Sequence, residues 1–358
     1  MRRRPLAVAL ALVPILTVTA CGDGAARAPF ADSRTPPSLG SRFYPPRGWT
    51  WGFVRSGEGP VQRYGVSSPP GVPRATILIL TGYGESAETW FETISELDGQ
   101  DFTVWVLERQ GQGGSERQTP WRDLGHVDSF DPDIASVRAL INGVIRPGND
   151  APLVVVGHSE GGLVALRAAE QGAPMDGLVL SAPAFGLSDL PRSRAEFARF
   201  APAMRNLRLG WIRAPGQRGW RRDGPDGVQA GLTHDTMRGK VQAAWMLANP
   251  DLRMGGRSLG WYAAFLDASD AAAHGVRQVN TPILMLDAGK DRVVTASPQN
   301  RLCGEMIDCK ETRYAEAGHD LHMESDAIRR AWLAAIVDFT RARIDAKAPR
   351  HRAEPHGL

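Results

Sequence analysis

The stretch Leu153-Val154-Val155-Val156-Gly157-His158-Ser159-Glu160-Gly161-Gly162-Leu163 constrains the fold of this chain more than any other. A short apolar, β-branched run breaks into Gly-His-Ser-Glu-Gly and resumes as helix-forming sequence, which reads as strand, sharp turn, helix. A serine at the apex of such a turn is forced into a strained backbone conformation. Gly157 and Gly161 belong beside it, because a Cβ there would collide with the neighbouring strand and helix. Ser159 is therefore the candidate nucleophile. In a chain with 39 glycines the pattern alone is weak, and the strand before it and the helix after it give it weight.

Strand and helix alternate around this turn. Trp49 to Val54 and Val61 to Val66 read as short strands about the turn Gly57-Glu58-Gly59-Pro60, an antiparallel start to a sheet. Ile77 to Leu80 and Phe102 to Leu107 read as buried strands, separated by a helix from near Ser86 whose apolar face is Trp90, Phe91, Ile94 and Leu97. A helix over roughly Pro132 to Ile145, the strand Leu153 to Val156, a helix from Gly161 to Gln171 and the strand Leu178 to Leu180 follow. The alternation predicts an α/β chain with a mostly parallel, doubly wound sheet.

From Pro183 to about Gly275 the alternation stops, and helical sequence rich in Trp and Arg, such as Phe197 to Arg208 and Val241 to Ala248, takes its place. This is an insertion over the sheet, at about residues 184–275 of a domain spanning 48–346. The pattern returns with Ile283 to Leu286, a helix near Ser297 to Cys303 and a strand at Glu311 to Tyr314. In the closing helix Ile328, Trp332, Ala335, Ile336 and Phe339 keep helical spacing behind Ser325, its expected N-cap. The basic tail 347–358 has nothing to pack and is expected to be disordered.

Residues 1–21 read as a signal peptide: Arg2, Arg3 and Arg4 precede the apolar run Leu6 to Val13, and small residues lead up to Ala20. That run is shorter than the roughly 20 residues a membrane-spanning helix needs. Val18-Thr19-Ala20-Cys21 resembles the bacterial lipobox, although Val18 and Ala20 also suit ordinary cleavage after Ala20. Of the 3 cysteines, Cys303 and Cys309 are close enough to form a disulfide in an oxidising compartment, which leaves Cys21 for lipid. Residues 22–47, rich in Ala, Gly, Pro, Ser and Arg, read as a flexible tether. The expectation is an exported lipoprotein, anchored to a membrane and facing the periplasm or cell exterior. A formal net charge of +3, with basic residues spread along the chain, argues against nucleic acid.

A serine hydroxyl needs a histidine to take its proton and a carboxylate to hold that imidazole, and in this strand order both lie downstream. Asp287 is still at a strand end, whereas Asp291 sits in the loop Gly289-Lys290-Asp291-Arg292 ahead of a helix, so Asp291 is the expected acid. His319, in Ala317-Gly318-His319-Asp320 after the last short strand, is the expected base, with His322 its rival. His158 is expected to shape the turn. The oxyanion donors are expected to be the backbone NH of Glu160 and, from the glycine-rich loop Thr81-Gly82-Tyr83-Gly84-Glu85, that of Tyr83. No phosphate-cradling pattern and no metal-ligand spacing is present, so neither cofactor nor metal is implied.

With these residues in view the chain resembles the bacterial lysophospholipase and monoacylglycerol lipase branch of the α/β-hydrolase superfamily, from about Thr76 to Phe339. The resemblance is carried by Thr81 to Ser86, Gln110-Gly111-Gln112-Gly113-Gly114-Ser115, Gly125-His126-Val127, Gly157 to Gly162, Gly289-Lys290-Asp291 and His319-Asp320-Leu321-His322-Met323-Glu324. It implies an α/β-hydrolase fold, a helical cap made by the insertion, and a Ser159, Asp291, His319 triad. The chain departs from the branch at Thr81, where histidine is usual, at Glu108-Arg109-Gln110, where Asp-x-Arg is common, and at Glu160, often methionine.

The expected function is a serine carboxylic ester hydrolase that cleaves a fatty-acyl ester of a single-chain lipid, acting as a monomer. Phe197, Phe200, Trp211, Trp220, Trp245, Trp261 and Phe265 are candidates to line an acyl pocket, against the alternative that they pack the cap. A proline-iminopeptidase-like serine peptidase is the rival enzyme, with Glu196 as its thin candidate for holding a substrate ammonium. A non-catalytic binding lipoprotein is the reading from another class.

Overall fold

The computed structural model describes residues 28–147, 149–190 and 194–348. The expected signal peptide with Cys21, and the basic tail beyond residue 348, lie outside the described residues.

Eight strands form one sheet: β1 Thr50–Val54, β2 Gln62–Ser67, β3 Ala75–Leu80, β4 Phe102–Leu107, β5 Leu153–His158, β6 Gly177–Ser181, β7 Ile283–Ala288 and β8 Cys309–Tyr314. Their order is β1-β2-β4-β3-β5-β6-β7-β8. β1 and β2 run antiparallel to their neighbours, and every pairing from β4 onward is parallel. This is the α/β-hydrolase arrangement that the resemblance implied.

The middle strands are apolar on both faces because helices cover both faces. Along β3, Leu78 and Leu80 enter one core cluster while Ala75, Ile77 and Ile79 enter the other, and Leu153 and Val155 alternate with Val154 and Val156 in β5. Helices α1 Phe91–Asp98 and α8 Asp326–Lys347 cover one face; α2 Asp131–Leu140 and α3 Glu160–Glu170 cover the other. α2 continues as a π-helical turn at Ile141–Ile145. The insertion supplies α4 Arg194–Asn206, α5 Val241–Ala248 and α6 Leu259–Gly275, and α7 Ala296–Glu305 leads into β8.

Three expectations need correction. Residues 28–47 are packed rather than a loose tether: Leu39 and Phe43 are buried, the Phe30 NH donates to the Gly114 carbonyl at 2.9 Å, and the Arg63 guanidinium stacks 5.0 Å from the Phe30 ring centre. A few apolar anchors in a Pro- and Gly-rich stretch were enough to dock it. Ser325 occupies the N-cap position of α8 but makes no side-chain cap hydrogen bond. Finally, α8 runs through Lys347 itself, so the helix reaches into the segment read as tail.

Cys303, in α7, is disulfide-bonded to Cys309, the first residue of β8, with 5.5 Å between their Cα atoms. Among the described residues, no helix is long and apolar enough to cross a membrane.

Candidate active site

β5 delivers Ser159 at its carboxyl end, where the chain must turn at once into α3. Ser159 adopts φ 53° and ψ −121°, a conformation L-residues rarely hold, and it persists because its neighbours lock it. Its NH donates to the Ser181 carbonyl at 2.9 Å, and its own carbonyl accepts from Gly162 and Ala184, each at 2.9 Å. A Cβ on Gly161 would stand 2.2 Å from the Leu80 carbonyl oxygen, and one on Gly157 would stand 2.6 Å from that of Gly161. The turn exists only because these two residues have no side chain.

His319 Nε2 lies 2.9 Å from Ser159 Oγ, and His319 Nδ1 lies 2.7 Å from Asp291 Oδ2. The Asp291 Oδ1 accepts the NH groups of Val293 and Val294 at 2.8 and 3.0 Å, which fixes the carboxylate toward the histidine. Burial works to raise the Asp291 carboxyl, but the His319 charge, its hydrogen bond and the two backbone donors outweigh it and hold the group below the usual carboxylate range. The three residues expected to form a triad are thus brought into one hydrogen-bonded line. Asp287, the rival acid, is buried on β7 with neither oxygen hydrogen-bonded among the described residues. Burial and the neighbouring Glu311 push its carboxyl up to about 7.

The rival base His322 points elsewhere. Its ring stacks on Trp90, centroids 3.9 Å apart, and its Nε2 is 3.2 Å from Glu85 Oε1. His158 packs beneath the turn, with Nδ1 3.1 Å from the Ser181 carbonyl and Nε2 at 3.4 Å from Asp320 and 3.6 Å from Glu85. Burial acts to lower His158, but Glu85 and Asp320 prevail and hold it up at about 8. Burial likewise acts to raise Glu85, yet His158, His322 and the Gly82 NH bring it down to about 2. Glu85, His158 and His322 present ligand-type atoms within 4.8 Å of one another, as do His158, His319 and Asp320. By distance either set could hold a metal ion, but Glu85 faces both histidines of the first set, and in the second His158 faces Asp320 while His319 faces Ser159 and Asp291. No sequence spacing reveals these sets, because the first joins three distant segments of the chain and the second two.

The Tyr83 and Glu160 NH groups, expected as oxyanion donors, have no backbone or side-chain acceptor among the described residues. Beside them, the NH of Gly82 donates to Glu85 Oε2 at 2.5 Å and that of Gly84 to Gln112 Oε1. The Glu160 side chain turns back into the core, where Oε2 is 2.6 Å from the Arg109 guanidinium and Oε1 accepts the Trp261 indole NH at 3.0 Å. Sequence reasoning overlooked the roles of Glu85 and Gln112, which lie in stretches that carried the resemblance, and the pairing of Arg109 with Glu160, both at positions where the chain departs from it.

Most of the cap aromatics are core. Phe197, Trp245, Trp261 and Phe265 are buried in the two clusters, whereas Phe200 is exposed and Trp211 half-exposed. Glu196 is exposed on α4. Ser159 and His319 are only 5% and 4% exposed beneath the cap. A cavity of about 470 Å³ lies between residues 216–232 and α5, with Trp220, Met246 and Met254 in its wall. Two of its lining residues touch the reaction loops: Gln242 donates to the Gly84 carbonyl at 2.7 Å, and the Leu232 carbonyl accepts the Asp320 NH at 2.9 Å.

The family model described as serine aminopeptidase, S33, matches residues 71–326, well over half of the chain. Lysophospholipase L2 of Escherichia coli (strain K12) is 28% identical over 273 residues, covering 74% of this chain and 79% of that protein. The monoglyceride lipase of Homo sapiens is 32% identical over 151 residues, 39% of this chain and 45% of that one. Among solved structures, the monoacylglycerol lipase of Paleococcus ferrophilus superposes with a TM-score of 0.62 at 20% identity, covering 79% of this chain and 99% of that chain, a likeness of fold.

Proposed function

The chain belongs to the serine aminopeptidase S33 family and is a hydrolase acting on esters, and on that premise we propose that Ser159 cleaves the fatty-acyl ester of a single-chain lipid, a lysophospholipid or a monoacylglycerol. The observation that carries the mechanism is the 2.9 Å contact between Ser159 Oγ and a His319 imidazole held from behind by Asp291. His319 takes the hydroxyl proton as Oγ attacks the acyl carbonyl. The oxyanion of the tetrahedral intermediate accepts the NH groups of Tyr83 and Glu160. Collapse breaks the ester bond, His319 returns the proton to the departing alcohol, and the acyl group stays on Ser159. Water, deprotonated by His319, then attacks the acyl-enzyme, and His319 returns that proton to Ser159 Oγ as the acyl–Oγ bond breaks and the fatty acid leaves.

The substrate class is supported by the lysophospholipase and monoglyceride lipase relatives and by the cavity against α5, whose wall mixes Trp220, Met246 and Met254 with Arg218, Arg221 and Arg222. Its volume of about 470 Å³ falls within the roughly 300–1,000 Å³ typical of ligand pockets. A peptidase reading needs an acid to hold the substrate ammonium, and Glu196, the candidate the sequence offers, is exposed on α4. The test is hydrolysis of lysophospholipid, monoacylglycerol, diacyl phospholipid and a proline anilide by the full-length protein. Single-chain lipids should be cleaved fastest, and higher rates on the diacyl lipid or the anilide would reject the reading.

We further propose that Cys21 carries lipid and holds the enzyme at a membrane. Each buried CH₂ adds about 0.8 kcal/mol, so several acyl chains would anchor it essentially permanently. Radiolabelled palmitate should enter the wild-type protein and not Cys21→Ser. A wild-type protein that takes up no label and fractionates as soluble would reject the anchor.

A further inference from the structure

Three consecutive amides follow β3, those of Gly82, Tyr83 and Gly84. The outer two are claimed by side chains, Gly82 by Glu85 and Gly84 by Gln112, while the Tyr83 NH between them has no acceptor among the described residues. We propose that Glu85 and Gln112 are positioning residues that clamp the two flanking amides and so aim the Tyr83 NH at the oxyanion. The inference rests on the serine-hydrolase reading above.

The Tyr83 side chain anchors the middle of this loop, its hydroxyl donating to the Gly255 carbonyl at 2.8 Å and its ring lying edge-on to Trp261 at 5.5 Å, but the Gly82 peptide before it has no such anchor. Gly82 lies so close to the nucleophile that a Cβ on it would stand 3.0 Å from His158 Cδ2 and 3.2 Å from Ser159 Cβ, so no side chain of its own can lock its peptide. The orientation of the Gly82 peptide must come from hydrogen bonds, and those to a carboxylate are roughly twice as strong as neutral ones. Glu85 is itself fixed: Oε2 also accepts the Trp90 indole NH at 3.2 Å, and Oε1 faces His322 and His158. Gln112 is buried in the turn after β4, its NH donating to the Arg109 carbonyl at 3.3 Å and its carbonyl accepting from Ser115 at 2.9 Å. Gln242 completes the grip from the cap by donating to the Gly84 carbonyl.

A carboxylate so near a developing oxyanion would oppose it unless its charge were matched. His158 supplies part of the match from under the elbow, between Glu85 on the oxyanion loop and Asp320 on the base loop. One imidazole faces both carboxylates, so it reduces rather than cancels the negative field that the clamp adds where the oxyanion forms. Glu85 and Gln112 touch neither substrate nor reacting atoms, so their effect passes through the Tyr83 amide.

The experiment compares full-length wild type, Glu85→Gln and Gln112→Ala, with active sites counted by labelling Ser159 with a fluorophosphonate. Removing one oxyanion donor costs a comparable enzyme about 10²–10³-fold in kcat, and each variant should lose a large part of that per labelled site while KM moves by no more than about threefold. An alkyl trifluoromethyl ketone, which forms the oxyanion adduct on Ser159, should bind more weakly by the same factor as kcat. Binding of the free fatty acid should be unchanged. A purely structural role would reduce the number of labelled sites and leave kcat per site and ketone affinity intact, and that result in both variants would overturn the proposal. Gln112→Ala leaves the buried Glu85 cluster whole and decides the matter if Glu85→Gln does not fold. Failure of the underlying reading looks different, because Ser159 would then take no label in the wild type.

Discussion

Replacing Glu160 by methionine, the residue common there in the lysophospholipase branch, should destabilise this chain, because it would leave Arg109 buried without its partner. The two side chains are each 2% exposed with 2.6 Å between Arg109 and Glu160 Oε2, and among the described residues no other carboxylate lies within 4.0 Å of that guanidinium. Around them are Phe130, 5.7 Å from the guanidinium carbon, and Trp261, whose indole NH donates to Glu160. Breaking a buried pair from one side costs about 3–5 kcal/mol, because an uncompensated charge stays in a medium that solvates it poorly. Against a total stability of about 5–15 kcal/mol that is a large fraction. Arg109→Met should cost a similar amount by stranding the carboxylate. The double variant Arg109→Met/Glu160→Met puts two apolar side chains in the same volume and should recover most of the loss, short of about 1 kcal/mol for the orphaned indole. Urea unfolding followed by circular dichroism gives the three values. A double variant whose cost equals the sum of the singles, or singles that each cost less than about 1 kcal/mol, would refute the reasoning.

The Cys303–Cys309 disulfide closes a loop over a sequence separation of 6, so removing it by Cys303→Ser/Cys309→Ser should cost only about 2 kcal/mol. Non-reducing mass spectrometry should find no free thiol at either position, and two alkylatable thiols would contradict the bond. Asp287→Asn should raise the melting temperature at pH 8 and have little effect near pH 4. Burial and Glu311 lift the folded Asp287 carboxyl to about 7, so the fold prefers the neutral form and loses stability as pH rises from the unfolded value toward 7. An equal gain at both pH values would refute that assignment. A chain beginning at residue 48 should be less stable than one beginning at residue 28 by about 3–6 kcal/mol, from the lost burial of Leu39 and Phe43 at about 1.5–3 kcal/mol each. Matching urea midpoints would show that the packed arm contributes nothing.

The parallel core was legible because strands buried on both faces must be apolar throughout, and Ile77 to Leu80 and Leu153 to Val156 have no other reading. The Ser159 turn was legible because glycine is the only residue that fits at 157 and 161. Asp291 and His319 followed from strand order and loop position. Residues 28–47 were misread because local composition there resembles a linker, and the surfaces that receive Phe30, Leu39 and Phe43 are assembled from distant segments. Trp245 and Trp261 were candidates for an acyl pocket against the alternative of packing the cap, and the packing of α5 and α6 decides for the core. Glu85 was unreadable for the same reason, since its partners His158 and His322 arrive from distant parts of the chain.

Ser159 as the acyl carrier is the claim on which the rest depends. Full-length protein mixed rapidly with a nitrophenyl acyl ester, quenched in acid and digested for mass spectrometry tests it directly. The account predicts a burst of nitrophenol stoichiometric with enzyme and an acyl mass on the peptide containing Ser159, both absent in Ser159→Ala. An acyl group on any other residue, or Ser159→Ala turning over the ester at the wild-type rate, would contradict it.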